Sequence, residues 1–330
     1  MTEFPRPGGR LATRALGLAA FVVLAGFAVL IVREAPSGAL PRLREARPLL
    51  LAAGALVYAA AFSLRGLRLN LLLPPGERLS GARAGTLSAS ALFLVQVIPF
   101  RGGELATWAA YRAALRTGWI RSGAVFAVAK LVDTAVLILV GLAGGALVAL
   151  RGRSPAFGAA AALAFVAGAA ALLLVPRLAS AGAFRLAGRF PEGTRRRRLV
   201  TEIGEALRVA HERPRDYLAS VAAATGCSVI QVGALWLMLA GFRVAASPGA
   251  VALAVFSAAL VSSTIPSPVG TFGSAESGFT AALALEGVPI PLGFVTAALL
   301  HLLSTATAGL VGLPFLLGEA GRHLRDAPPR

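Results

Sequence analysis

Six stretches of the chain are apolar over about the length that a helix needs to cross a lipid bilayer. A hydrocarbon core of about 30 Å is spanned by about 20 helical residues, each of which rises about 1.5 Å. The stretches therefore predict six crossing helices, at residues 15–32, 48–64, 122–150, 156–175, 217–240 and 292–317. The first stretch could instead be a signal peptide, but it lacks a clean small-x-small cleavage site, which favours a retained helix.

Two further apolar regions are each interrupted by proline and glycine. Each arm beside an interruption reaches only about 20–24 Å as a helix, which is short for a crossing. Because proline and glycine break helices, the two regions predict re-entrant hairpins that return to the side from which they enter. The arms are residues 84–99 with 104–117 and residues 250–265 with a continuation to about 286, and the breaks carry Pro99, Gly102, Gly103, Pro266, Pro268, Gly270 and Gly273.

Composition removes several classes of protein from consideration. The chain of 330 residues is 57% hydrophobic and 14% charged, whereas soluble domains carry about 25% charged residues. Its net charge of +17 comes from arginines in short loops, which is the topology signal of a membrane protein rather than of a nucleic-acid interface. The single cysteine, Cys227, excludes a disulfide framework and a cysteine-based zinc site, and no metal or other cofactor is expected.

The arginine-rich loops also predict an orientation. The positive-inside rule places residues 65–83, 117–121 and 177–216 and both termini in the cytoplasm, in a multi-pass protein of the cell membrane. Residues 33–47 hold four arginines and lie outside in this arrangement, against the rule. Residues 177–216 include apolar positions at helical spacing that predict a surface amphipathic helix. This linker either binds anionic lipids or only fixes the orientation.

The two broken regions resemble each other, which predicts an internal repeat. Both read Ile-Pro, then a pair of glycines, then a glutamate. Glu104 precedes Lys130 by 26 residues, and Glu276 precedes His301 by 25 residues. Lys130 and His301 each lie 11 residues before a Gly-Leu pair. Because the hairpins enter from opposite sides, the repeat is inverted, an architecture by which transporters place a site near the middle of the membrane.

The predicted fold class is an all-α polytopic membrane protein with about six full spans plus two re-entrant hairpins in an inverted repeat. The chain is predicted to form a single transmembrane domain. Its first half covers about 15–175 and its second half about 217–318, with the arginine-rich linker at 177–216 and a short tail at 319–330.

Polar residues at the first break are candidates for binding a headgroup. Arg101 offers a fork of donors suited to phosphate, and a helix that starts near Glu104 would point its positive end into the tip. The pair could seat a lipid phosphate, or it could be a salt bridge that only stabilises the turn. Arg112 follows Glu104 on one stripe of the arm and could draw a headgroup along it.

Ionisable residues within the spans form a second group of candidates. Lys130 and Asp133 lie at i, i+3 in a long span, where such residues face the bundle interior and usually pair. Their pair is either structural or exchanges partners with a headgroup or a proton. Glu276 has His301 as its candidate partner, in a pair that could carry a proton. The alternative is that Glu276 caps a helix and His301 is a lone interfacial histidine.

The sequence resembles a known family at these residues. The run Ile98-Pro99-Phe100-Arg101-Gly102-Gly103-Glu104, followed by Lys130-Leu131-Val132-Asp133, resembles the lysylphosphatidylglycerol synthase transmembrane family. The segment from Ile265 to Glu276, followed by Gly287-Val288-Pro289, resembles its second motif, and the likeness covers about 15–318. The resemblance implies a flippase-like multi-pass domain that moves an aminoacylated phospholipid between leaflets, or a stand-alone relative that handles lipids or glycolipids.

The chain departs from the family pattern at particular positions. Thr107 stands where the family usually has arginine, Ala129-Lys130 stand where it often has Glu-Arg, and Val269 separates Pro268 from Gly270. The chain also ends at Arg330 with no synthase domain, so the aminoacyl transfer reaction is not expected and the chain is not predicted to be an enzyme.

Three functions follow from the sequence as hypotheses. The first is a flippase-like transporter of a phospholipid or another lipid with a phosphate headgroup, with anionic or zwitterionic membrane lipids as partners. The second is a membrane enzyme or accessory protein of lipid or polyprenyl-glycolipid synthesis, although no catalytic motif supports it. The third is an assembly partner without transport, and the chain could also form a homo-oligomer.

Overall fold

The structure, a computed structural model, describes residues 45–99, 102–151, 155–265 and 271–325. Every regular element in these ranges is helical, which confirms the predicted all-α class. In chain order the α-helices are α1 (Pro48–Leu72), α2 (Gly81–Val97), α3 (Gly102–Leu115), α4 (Trp119–Arg151), α5 (Pro155–Ala187), α6 (Arg195–Leu207), α7 (Val209–Glu212), α8 (Pro214–Gly241), α9 (Pro248–Thr264), α10 (Ser274–Ala284) and α11 (Ile290–Arg325), and a 3-10 turn at Pro75–Glu77 joins α1 to α2.

Five of these helices are long and apolar enough to cross a membrane, namely α1, α4, α5, α8 and α11. They correspond to five of the six crossings that the sequence predicts. The sixth prediction, at residues 15–32, lies outside the described residues.

Three of the predicted helix ends are wrong. α11 does not end at residue 317 but continues to Arg325, into the predicted tail. α1 does not end before Arg65 but continues to Leu72, and it carries Arg65 and Arg68 inside the bundle. α5 does not end at residue 175 but passes through Pro176 and continues to Ala187. Pro176 has no N–H to donate to the carbonyl four residues earlier. The buried Tyr217 hydroxyl donates to that Leu172 carbonyl at 2.6 Å, so the acceptor is satisfied and the helix continues.

The two broken regions form helical hairpins, in which α2 packs against α3 and α9 packs against α10. At 1.5 Å per residue, the 17 residues of α2 and of α9 span about 26 Å and the 11 residues of α10 about 16 Å. A glycine lets each pair of arms touch backbone to backbone. A Cβ at Gly103 would lie 2.5 Å from Val95 Cα, and one at Gly278 would lie 2.7 Å from the Ser257 carbonyl carbon.

Ion pairs join several helix ends and show that these ends lie together on one surface of the bundle. Arg78, just after α1, pairs with Asp216 at the start of α8 at 2.6 Å. Arg83 at the start of α2 pairs with Glu319 near the end of α11 at 2.8 Å, and α3 connects directly to α4 through residues 116–118. We call this surface face A. Because α2 begins there and α3 returns there, the first hairpin enters from face A.

The remaining ends meet at the other surface, which we call face B. The Glu286 carboxylate, just after α10, accepts a hydrogen bond from Ser247 N at 2.7 Å, just before α9. It also lies 3.9 Å from Arg151 Nη1 at the end of α4. The second hairpin therefore enters from face B, opposite to the first.

The packing of the helices has the predicted inverted symmetry. α2 packs on α1 and α11, while the equivalent α9 packs on α8 and α4, and α1 packs on α8 between the two halves. Gly312 of α11 lies against α2, where a Cβ would meet Ser90 N at 2.5 Å. Gly141 of α4 lies against α9, where a Cβ would come within 3 Å of the Phe256 ring. The repeating units are thus α1–α4 and α8–α11, and α5–α7 lie between them.

The linker contains the predicted amphipathic helix, α6. The Thr194 hydroxyl caps its first turn by accepting from Arg197 N at 3.3 Å. α6 packs on α5 and buries Gly204 and Leu207, while Leu199 and Ile203 remain exposed. The linker begins after Ala187 rather than at residue 177, because α5 is longer than predicted.

Candidate functional site: a charged cavity between the two halves

A cavity of about 580 Å³ lies where the two halves meet. Both hairpins line it, together with α1, α4, α8 and α11. Its charged or titratable lining includes Arg65, Arg68, Glu104, Lys130, Asp133, Glu276 and His301. Ionisable groups in membrane-spanning segments are rare and mark binding sites and pathways, so this cavity is the strongest candidate for a functional site.

Two arginines of α1 converge on one carboxylate of α4 at the cavity wall. Arg68 Nη2 donates to Asp133 Oδ2 at 3.0 Å, and Arg65 Nε lies 4.0 Å from the same oxygen. The Arg68 side chain is 2% exposed, whereas those of Arg65 and Asp133 are 22% and 27% exposed. The wall therefore carries one positive charge more than its carboxylate balances.

Several donors of this cluster have no acceptor. Arg65 Nε, Arg68 Nε and Arg68 Nη1 are buried and have no hydrogen-bond partner among the described residues. An unsatisfied buried donor costs about 1–3 kcal/mol, and more when the group is charged.

The tip of the first hairpin carries a looser ion pair. Glu104, in the first turn of α3, lies 3.6 Å from Lys130 Nζ on α4. The two side chains are 44% and 50% exposed, so the pair is open to the cavity. Lys130 and Asp133 are therefore not paired with each other as the i, i+3 spacing predicted, because each has its own partner on another helix.

The tip of the second hairpin carries a closed pair. Glu276 Oε1 lies 2.6 Å from His301 Nδ1 on α11, and the two side chains are only 1% and 8% exposed. The other oxygen, Oε2, accepts from Gly273 N at 2.6 Å and so caps α10. Glu276 thus makes both of the contacts that the sequence offered as alternatives, the cap and the histidine pair.

His301 is held on its other sides as well. Its Nε2 lies 3.2 Å from the Thr271 hydroxyl, and its ring stacks on Phe272 with the centroids 4.0 Å apart. Gly273 turns the chain into α10 with a φ of 87°, a conformation that favours glycine. The hairpin tip is therefore shaped around the imidazole ring.

The cavity has an open side between α4 and α9. These helices cross where Gly144 faces Gly249 and Ala252. On the face A side of that crossing, exposed residues of both helices line the cavity. They are Lys130, Thr134 and Ile138 on α4 and Leu260 and Ser263 on α9.

Arg112 lies elsewhere, at the base of the first hairpin. Its guanidinium carbon sits 4.4 Å from the centroid of the Trp119 ring. Trp108 meets that ring edge-on and donates from Nε1 to the Trp119 carbonyl at 2.9 Å. Arg112 is not among the residues that line the cavity.

The structure brings together five of the predicted site residues, Glu104, Lys130, Asp133, Glu276 and His301. The predicted hairpin breaks Pro99, Gly102, Gly103 and Gly273 lie at or beside the tips. Arg101, Pro266, Pro268 and Gly270 lie outside the described residues.

The sequence interpretation missed Arg65 and Arg68, which it assigned to a cytoplasmic loop. One signal could have found them. Leucines continue through and beyond the two arginines, from Leu64 to Leu73, which is typical of a helix that has not yet ended.

A helical bundle with five long apolar helices, two opposed hairpins and a charged cavity between them defines a polytopic integral membrane protein. A family comparison makes the assignment specific: residues 14–312 match the model of the lysylphosphatidylglycerol synthase TM region, and the chain belongs to that family. The chain has no significant match among curated proteins or among solved structures.

Proposed function

We propose that this protein moves a phospholipid, or another lipid with a phosphate headgroup, between the two leaflets of a membrane. The observation that carries the proposal is the charged cavity, which both hairpins line and which opens sideways between α4 and α9. Family membership supports a role in membrane lipid metabolism or transport.

The physical obstacle to such movement is the headgroup. A charged group that enters hydrocarbon loses its hydration, which is costly unless protein groups replace the water. Arg68 and Asp133 on one wall and Glu276 on another supply donors and acceptors in place of water. A volume of 580 Å³ is within the usual range for small-molecule sites, about 300–1,000 Å³. The headgroup enters the cavity, and the acyl chains stay in the bilayer through the open side.

The polar groups also lie at different depths. Arg68 is four residues from the face A end of α1, about 6 Å along the helix. His301 is eleven residues from the face B end of α11, about 17 Å along the helix. A headgroup would therefore move between a binding position at Arg68 near face A and one at His301 close to the middle of the bundle.

The proposed orientation places face A in the cytoplasm. The connection between α5 and α8, which lies at face A, carries seven arginines between Ala187 and Pro214. The connection between α8 and α9 at face B carries Arg243. This asymmetry follows the positive-inside rule for a multi-pass protein of the cell membrane.

Translocation is tested with the purified protein in vesicles that contain a fluorescent phospholipid. Wild-type protein is expected to expose inner-leaflet lipid to an external quencher faster than protein-free vesicles do. Thr134→Trp places a large ring at the opening without changing charge, and it is expected to slow the exchange. Leu163→Trp, at a 72% exposed position on α5, is the matched control and is expected to leave the exchange unchanged.

Two results would contradict the proposal. Exchange with the wild-type protein that is no faster than in protein-free vesicles would remove the transport function. Equal slowing by Thr134→Trp and Leu163→Trp would remove the cavity opening from the route.

A further inference from the structure

The two arginines of α1 form the part of the cavity whose charge and hydrogen bonds are least balanced. Three of their N–H-bearing nitrogens have no acceptor among the described residues, although Arg68 is 2% exposed. All three belong to a pair of guanidinium groups that one carboxylate, Asp133, holds together. The cluster is thus short of both negative charge and acceptor atoms.

The neighbouring groups do not supply what is missing. The other carboxylates that line the cavity have partners of their own: Glu104 lies 3.6 Å from Lys130 and Glu276 lies 2.6 Å from His301. Tyr58, Tyr111 and Cys227 are the other titratable groups around the two arginines. The Tyr111 hydroxyl contacts Arg68 and the Cys227 thiol contacts Arg65, but each is neutral in its ordinary form and supplies no negative charge. Among the described residues, Asp133 is therefore the one carboxylate that forms an ion pair with either arginine.

A phosphate has the chemistry that completes this cluster. Guanidinium groups present planar forks of donors that match the oxygens of phosphate, and such charge-assisted hydrogen bonds are the strong ones. We propose that Arg65 and Arg68 form a seat for a phosphate oxyanion and that Asp133 is their resident counter-ion, with which the phosphate competes for the two guanidinium groups. The proposal deepens the proposed function, because it names the residues that would bind the phosphate of the transported lipid.

The seat is tested by equilibrium binding to the purified, delipidated full chain. The probes are dioctanoyl phosphatidylglycerol and dioctanoylglycerol, which differ by the phosphoglycerol headgroup, and inorganic phosphate. Wild-type protein is expected to bind the phosphate-bearing lipid more tightly than dioctanoylglycerol. Arg68→Gln is expected to weaken that binding about ten- to a hundredfold, the effect of losing charged hydrogen bonds. Arg78→Gln, which breaks an ion pair at face A outside the cavity, is the matched control and should bind like wild type.

The variant Asp133→Asn distinguishes a phosphate-binding role of the two arginines from a purely structural ion pair. If Arg68 and Asp133 only stabilise the fold, Asp133→Asn and Arg68→Gln lose binding together. In a seat, Asp133 competes with the ligand for the arginines, so Asp133→Asn should bind the phosphate-bearing lipid at least as tightly as wild type. Arg68→Lys keeps the charge without the fork, and intermediate binding is expected from it even where Arg68→Gln folds poorly.

The probes also identify the source of the phosphate. If the lipid binds in a manner that depends on Arg68 and inorganic phosphate does not displace it, the natural ligand is a lipid phosphate. If inorganic phosphate itself binds in a manner that depends on Arg68, the natural ligand is a soluble phosphate. Equal binding of phosphatidylglycerol and dioctanoylglycerol, or equal binding by wild type and a folded Arg68→Gln protein, overturns the seat. Because binding is measured without transport, Arg68-dependent binding without lipid exchange would overturn only the proposed function.

Discussion

Glu276 divides its two carboxylate oxygens between two helices: one lies 2.6 Å from the His301 ring on α11 and the other caps α10. The side chain is 1% exposed, so both contacts are shielded from solvent. A single residue therefore fixes the second hairpin tip to the long helix behind it.

Removing this carboxylate is expected to destabilise the protein strongly. Glu276→Ala loses a helix cap and leaves His301 Nδ1 without its partner, which together cost about 2–4 kcal/mol. Glu104→Ala is the control, since its partly exposed pair with Lys130 is expected to contribute about 1 kcal/mol or less. Thermal unfolding in detergent, followed by tryptophan fluorescence, compares the two. Similar melting temperatures for both variants would show that the buried pair has no special structural role.

The close approach of the arms depends on one glycine in each hairpin. Gly103→Ala and Gly278→Ala each place a Cβ against the backbone of the opposite arm, which cannot move aside as a side chain can. Each substitution is expected to cost about 1–3 kcal/mol. Gly233→Ala in α8 is the matched control, because its Cβ would meet nothing within 4 Å. That variant should be neutral or up to about 1 kcal/mol more stable.

These substitutions are compared by melting temperature and by resistance to limited proteolysis. The expected order of stability is Gly233→Ala, then wild type, then the two hairpin variants. If Gly103→Ala or Gly278→Ala melts at the same temperature as the control, backbone contact between the arms does not stabilise that hairpin.

The orientation of the two faces is tested with single cysteines. Cys227 is buried and is first replaced by serine. Gly76→Cys at face A and Ala245→Cys at face B both lie at exposed positions. With face A in the cytoplasm, an impermeant thiol reagent is expected to label Ala245→Cys in intact cells and Gly76→Cys only after permeabilisation. The reverse pattern would invert the proposed orientation, and labelling of both in intact cells would contradict the crossing topology.

Arg112 gives a test of which arginines meet the lipid. Its guanidinium rests on Trp119 at the base of the first hairpin rather than in the cavity. Arg112→Gln is therefore expected to leave headgroup binding and lipid exchange close to wild type and to cost about 1 kcal/mol of stability from the lost cation–π contact. A loss of binding comparable to that of Arg68→Gln would instead support the stripe of headgroup contacts that the sequence suggested.

The long-range architecture could be predicted from the sequence because its signals are local. Apolar length identified the crossing helices, and proline with glycine at fixed spacing identified the hairpins. The equivalence of Gly141 and Gly312 also followed from spacing alone, and each lies against the first arm of the opposite hairpin.

Partner choice within the cavity could not be predicted in the same way. The spacing of Lys130 and Asp133 favoured a pair on one helix face, but their partners come from α3 and α1. Arg68 and Asp133 are 65 residues apart, and only the crossing of α1 and α4 brings them together. Charge at the end of an apolar run predicts a loop, yet α1 holds two arginines inside the bundle because a carboxylate on another helix pairs with them.

α5 sets the relative orientation of the two repeating units. α1 begins at face B and α4 ends at face B, so the first unit leaves the chain on the surface where it started. α5 then crosses once more to face A, and the second unit begins there in the opposite orientation. Without it, both units would stand the same way up, and α2 could not lie on α11 while α9 lies on α4. A polypeptide with one unit alone would complete the cavity wall only by pairing with a second copy in the opposite orientation. This chain contains both orientations in a single polypeptide.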